Sequence, residues 1–126
     1  MLDKLKSMIA LAGLMKDKQR VQETAERVKR ELAALRVEGQ AGGGAVRIIA
    51  SGDLSILDVN MSPALAAGLA ASGPSRDYAQ TLIRDATNDA LARARTKMRE
   101  TLQREADAMG LGDVLGDLGG LESLVR

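Results

Sequence analysis

The sequence predicts an α+β chain in the order helix, three antiparallel strands, helix (α-β-β-β-α). Three observations carry that prediction. Residues 37–63, VEGQAGGGAVRIIASGDLSILDVNMSP, alternate β-branched runs with glycine-bearing turns, the mark of a short β meander. The stretches 1–36 and 76–109 on either side are charged, periodic in apolar residues and, apart from Gly13, free of Pro and Gly, as long helices are. Finally, the chain has 126 residues with no Phe, no Trp and a single Tyr, Tyr78. It can build only one thin core from Ala, Leu, Val, Ile and Met, because aromatic side chains bury the most area each.

The first helix is expected over residues 1–36, where Gly13 is the only Gly and Pro is absent. Val21, Ala25, Val28, Leu32 and Leu35 step by four and three along it, a coiled-coil-like seam. Continued backwards, the seam meets Lys18 and then Leu14 and Leu11. The first strand is expected over Val37–Gly39, followed by a loop holding Gly42, Gly43 and Gly44. The second runs Ala45–Ala50 and turns at Ser51-Gly52. The third runs Leu54–Met61 and stops at Ser62-Pro63, since proline has no N–H to give a ladder. Ala64–Ser72 can form a short connecting helix before Gly73-Pro74. The last long helix is expected from about Arg76 to Met109, with Ser75 as its N-cap and Asp77 in its first turn. Its apolar stripe is Ala79, Ile83, Ala86, Ala90, Ala94, Met98 and Leu102. Residues 1–109 thus form one domain, and 110–126 form a Gly/Leu-rich tail, flexible or weakly helical because each internal Gly costs a helix about 1 kcal/mol.

What the chain lacks narrows its chemistry. Without Cys or His there is no thiol nucleophile, no Cys-based zinc site, no Ser-His-Asp triad and no imidazole base. The expectation is a non-enzyme with no catalytic residues, no cofactor, no metal and no small-molecule substrate. Gly39–Gly44 fits no phosphate-binding motif, because it joins two strands and offers no helix N-terminus. The run Met8–Met15 after Lys4 and Lys6 is too short to span a bilayer and reads as a helix face. A cytoplasmic protein without membrane contact is expected. Mid-helix Asn88-Asp89 is unfavourable by propensity, which points to a hydrogen bond to the sheet or a partner subunit.

The charges are uneven although the net is only +1. Residues 1–36 carry nine basic against five acidic residues, 37–75 one against three, 76–109 seven against six, and the tail one against three. Candidate phosphate contacts are Lys16, Lys18, Arg20, Arg27, Lys29 and Arg30 on the first helix, with Arg93, Arg95, Lys97 and Arg99 on the last. On composition alone, a solvated helix face laced with ion pairs is the stronger reading of these residues. The thin core and the two open edges of the sheet favour a homo-oligomer, with a dimer as the expected unit. A charge placed mid-strand at Ile48 or Ile56 is expected to unfold it.

The pattern V-x-G, Gly-rich loop, V-x-[IV] strand, small-Gly turn and a strand ending near Pro resembles the YbaB/EbfC family of small nucleoid-associated proteins. Asn88-Asp89-Ala90 matches that family's Asn-Asp-Ala within a helix. The resemblance spans about residues 1–109, with a longer connection before the last helix than the family usually has. It implies a bacterial homodimer whose strands join into one continuous sheet and whose long helices project as paired arms. It also implies binding of duplex DNA with little sequence preference, and a nucleoid location. The ten basic residues named above would then face the DNA. The alternative is a non-catalytic protein-interaction module, an accessory of DNA repair or replication, whose arms and tail clasp a protein partner.

Overall fold

The computed structural model describes residues 2–110, without the side chains of 10–17. Helix α1 runs Leu2–Ala34, strands β1, β2 and β3 run Arg36–Ala41, Val46–Ser51 and Ile56–Met61, and helices α2 and α3 run Pro63–Ala70 and Pro74–Ala108. The expected α-β-β-β-α order is present, with the connecting segment folded into the short α2. The strands form one antiparallel sheet in the order β1-β2-β3.

α1 ends where β-branched Val37 favours extended chain and Gly39 disfavours helix. The Arg36 guanidinium donates to the carbonyls of Ala33 at 2.7 Å and Leu35 at 3.0 Å, satisfying groups the helix end leaves open. β1 is longer than expected at both ends, because Arg36, Glu38 and Gln40 alternate outward while the residues between them turn inward. β3 starts two residues late. Leu54 takes φ +69°, and its N–H donates to the Ser51 carbonyl at 3.1 Å, while the Ser51 N–H donates to Ser55 at 2.9 Å. That is a three-residue hairpin loop with a left-handed third position, so the strand cannot begin at Leu54. The Ser51 hydroxyl bonds the Asp53 carboxylate and is the main cause that holds its pKa below the usual 3.8.

Ser62 caps α2, its hydroxyl accepting from the Leu65 N–H at 3.2 Å, and Pro63 takes the first helical position. α3 is entered through Gly73 and Pro74, not through Ser75. Proline's fixed φ suits that first turn, and it pulls the start ahead of Arg76.

The core lies between the sheet and α3. Val46, Ile48 and Ala50 of β2 face Ala79, Leu82, Ala86, Ala90 and Ala94, with Leu65 of α2 closing one side. Alanines let α3 lie almost on the strand backbone, and Gly39 lets β1 approach it: a Cβ there would fall 2.2 Å from the Ala90 nitrogen. β3 lies beyond this cover. Ile56, Leu57, Val59 and Met61 are all exposed, Ile56 at 40%.

Candidate nucleic-acid interface

Two helical arms leave the sheet side by side. Their contact is set by sequence at the point where α3 runs off the strands. Up to Ala94 the α3 stripe faces the sheet, as its three-and-four spacing requires. Beyond Met98 its neighbour is α1, and the buried residues become Thr101 and Ala106, while Leu102 of the expected stripe is exposed. Among the described residues of the α1 seam, Val28 and Leu32 are buried, Leu35 is half-buried and Val21 is exposed.

Among the described residues, two ion pairs join the arms. Arg27 reaches Glu105 at 2.6 Å, and Arg104 reaches Glu31 at 2.5 Å. Arg27 and Glu31 are one helical turn apart and meet neighbouring residues of α3, so the helices run antiparallel there. Both pairs keep one well-exposed partner, and a surface pair of this kind stabilises by about 1 kcal/mol or less. Their greater effect is on availability, because an arginine held on a carboxylate must leave it before meeting another anion.

The expected site residues separate on this criterion. Arg27 is paired across the arms. Arg93 sits 3.3 Å from Asp89, and Lys97 sits 3.6 Å from Glu100. Lys18, Arg20, Lys29, Arg30, Arg95 and Arg99 are exposed and have no ion-pair partner among the described residues. Lys16 lies among the residues whose side chains are outside the description. Arg30 points away from the seam, since it is two residues, about 200° of helix, from both Val28 and Leu32. The expected site also omitted Arg104, whose partner is 73 residues away in sequence. No local spacing announces such a pair.

Asp89 has a structural task, as its mid-helix position suggested. One of its oxygens, Oδ2, accepts the Gln40 N–H of β1 at 3.1 Å, and its carboxylate also accepts from the Arg93 guanidinium. The helix thereby fills a hydrogen-bonding position on the outer edge of β1. Asp89→Ala is expected to lower stability by about 1–2 kcal/mol, since a charged acceptor is lost, whereas Asp89→Asn keeps an acceptor and should cost less. Thermal melts of the two variants check this. Equal melting points for both and the parent would remove the edge cap from the account.

Among the described residues no group of carboxylates is placed to hold a metal ion, and no helix is long and apolar enough to cross a membrane. A shallow groove at the end of α3 is lined by Arg99, Glu100, Gln103, Arg104 and Asp107. It is open to solvent and is formed by one helix face.

Comparison with known proteins places this architecture. The family model described as the YbaB/EbfC DNA-binding family matches residues 8–109. A nucleoid-associated protein of Nostoc sp. is 37% identical over 100 residues, covering 79% of this chain and 81% of that protein. The crystal structure of the uncharacterized protein HP0035 from Helicobacter pylori superposes with a TM-score of 0.55 at 16% identity, over 71% of this chain and 86% of that one. That last likeness concerns the fold. The first two settle membership: the chain belongs to the YbaB/EbfC DNA-binding family.

Proposed function

We propose that the protein binds duplex DNA in the nucleoid of a bacterial cell, as a homodimer, through phosphate contacts made by its two helical arms. The carrying observation is the set of six exposed arm cations with no carboxylate partner among the described residues: Lys18, Arg20, Lys29, Arg30, Arg95 and Arg99. Family membership and the nucleoid-associated relative support the same reading. Phosphate contacts carry no sequence information, so unrelated duplexes should bind within a small factor of one another. Such binding uses neither a cofactor nor a catalytic group.

The dimer is proposed to form at β3. The outer edge of β1 is occupied at Gln40 by Asp89, whereas β3 exposes Ile56, Leu57, Val59 and Met61. An exposed apolar edge strand is a template for pairing with another chain. Pairing there would bring two sets of arms onto one continuous sheet and double every cationic cluster. That doubling partly offsets a net charge of only +1 per chain.

A gel-shift titration at two salt concentrations tests the DNA reading. Lys18→Gln, Arg30→Gln and Arg99→Gln together should weaken binding to every duplex and flatten the logarithmic salt slope by about 0.9 for each lost phosphate contact. Arg27→Gln, which removes a residue held by Glu105, should change affinity far less. Binding that is insensitive to salt and to the triple substitution would discard the phosphate site and favour a protein clasp.

A further inference from the structure

The first turns of α1 carry an apolar stripe that nothing among the described residues covers. Leu2, Leu5, Met8 and Ile9 are 61–76% exposed, far more than the ends of a packed seam. Leu2, Leu5 and Ile9 step by three and four, Met8 sits beside them, and Lys4 and Lys6 fall on opposite flanks of the stripe at helical spacing. Scattered surface leucines need no explanation, but a stripe of four bordered by lysines has the form of a contact face.

The other end of the chain leaves α3 close by. Glu105 is against Arg27, α3 ends at Ala108, and Gly110 at φ +76° turns the backbone out of the helix. Because the arms are antiparallel, the end of α3 points toward the N-terminal half of α1. Ile9 is 18 residues, about 27 Å of helix, from Arg27. The 16 residues after Gly110 span about 24 Å as a helix and about 50 Å extended, enough to reach the stripe from the end of α3.

The composition of those residues complements the stripe. Leu111, Leu115, Leu118 and Leu121 recur at steps of four and three, and Asp113, Asp117 and Glu122 stand against a single Arg126. Residues 2–20 of α1 hold five basic against two acidic side chains. Leucines can therefore cover leucines while carboxylates approach the flanking lysines.

We propose that residues 111–126 dock along the Leu2–Ile9 stripe of α1 in their own chain, as an acidic, leucine-bearing strap on the basic arm. Resting on the DNA reading above, the strap competes with phosphate for the arm's cations and lowers its affinity for DNA.

The test uses the full chain. It has no Cys, so Ser123→Cys accepts a single nitroxide label. Methyl resonances of Leu2, Leu5, Met8 and Ile9 should lose most of their intensity, while those of Ile48 keep theirs, and chemical reduction of the label should restore them. Leu115→Asp with Leu118→Asp should abolish the loss without changing the Ile48 resonance. Full intensity at the stripe in the labelled chain overturns the docking. So does comparable loss in isotope-labelled chains that carry no nitroxide when they are mixed with spin-labelled chains, because the strap would then lie on a second copy. Asp113→Asn, Asp117→Asn and Glu122→Gln together should tighten DNA binding several-fold at low salt. Unchanged affinity would overturn the competition. Stripe broadening in a chain that binds no DNA at any salt would retire the DNA reading while upholding the docking.

Discussion

Gly39→Ala is expected to leave the chain unable to fold. The added Cβ would lie 2.2 Å from the Ala90 nitrogen, and 2.6 Å from both the Ala86 carbonyl oxygen and the Ala90 Cα. All three are backbone atoms of α3, and no rotamer change can move them aside. α3 would have to lift away from β1, loosening the contacts of Val46, Ile48 and Ala50 with its alanines and stretching the Asp89–Gln40 bond. Overpacking a relaxed core costs about 1–3 kcal/mol, and a rigid backbone clash lies at or above the top of that range. A small domain has only about 5–15 kcal/mol to lose, and one without Phe or Trp falls toward the low end. Gly43→Ala is the matched control. It meets no atom within 4 Å, so only its φ of +65° opposes the substitution, at about 1–2 kcal/mol. Circular dichroism melts should show Gly43→Ala several degrees below the parent and Gly39→Ala without a native transition. A Gly39→Ala melt within a few degrees of the parent would refute the close β1–α3 approach.

Ile48→Asp and the pair Ile56→Lys with Val59→Lys should fail in opposite ways. Ile48 is 1% exposed, in the centre of the core. A carboxylate there has no partner, and the substitution should unfold the chain. Ile56 and Val59 are 40% and 47% exposed on β3, so in a single chain the new ammonium groups reach water. At a β3–β3 junction the lysines of two copies would instead crowd one another, and like charges across paired strands repel. The expected product is a folded monomer: native far-ultraviolet dichroism, with a mass by light scattering of about 13 kDa, that of one chain. A double variant that stays dimeric would move the junction elsewhere. The sequence expectation of unfolding applied to both Ile48 and Ile56, and the structure separates them. Mid-strand position is visible in a sequence, but the edge of the helical cover is not.

The same boundary explains what was legible and what was not. The order of elements followed from periodicity and turn residues. The alanine stripe of α3 was readable as far as Ala94, because one neighbour, the sheet, dictated one face. It drifted to Thr101 and Ala106 once α1 became the neighbour, and no helical wheel of α3 alone contains that change. The early start assigned to β3 failed at Leu54, an apolar residue in a left-handed conformation that sequence patterns reserve for Gly or Asn. Among the cations, the pairs Arg93–Asp89 and Lys97–Glu100 were implicit in spacings of four and three. The cross-arm pairs of Arg27 and Arg104 depend on two helices meeting in space. Sequence therefore named the basic arms, and the fold decided which of their charges are already engaged.

The carboxylate of Asp89 on the Gln40 amide has one more consequence, for how large an assembly can grow. A sheet with two available margins can add chains at both, and edge-to-edge addition then has no natural end short of a fibre. Here one margin is interrupted at Gln40 by the chain's own helix, whereas no described residue covers β3. In the dimer proposed above, two copies meeting through β3 would use up the open margin of each. A single hydrogen-bonded side chain would thus act as a terminator of polymerisation and make two the stopping number.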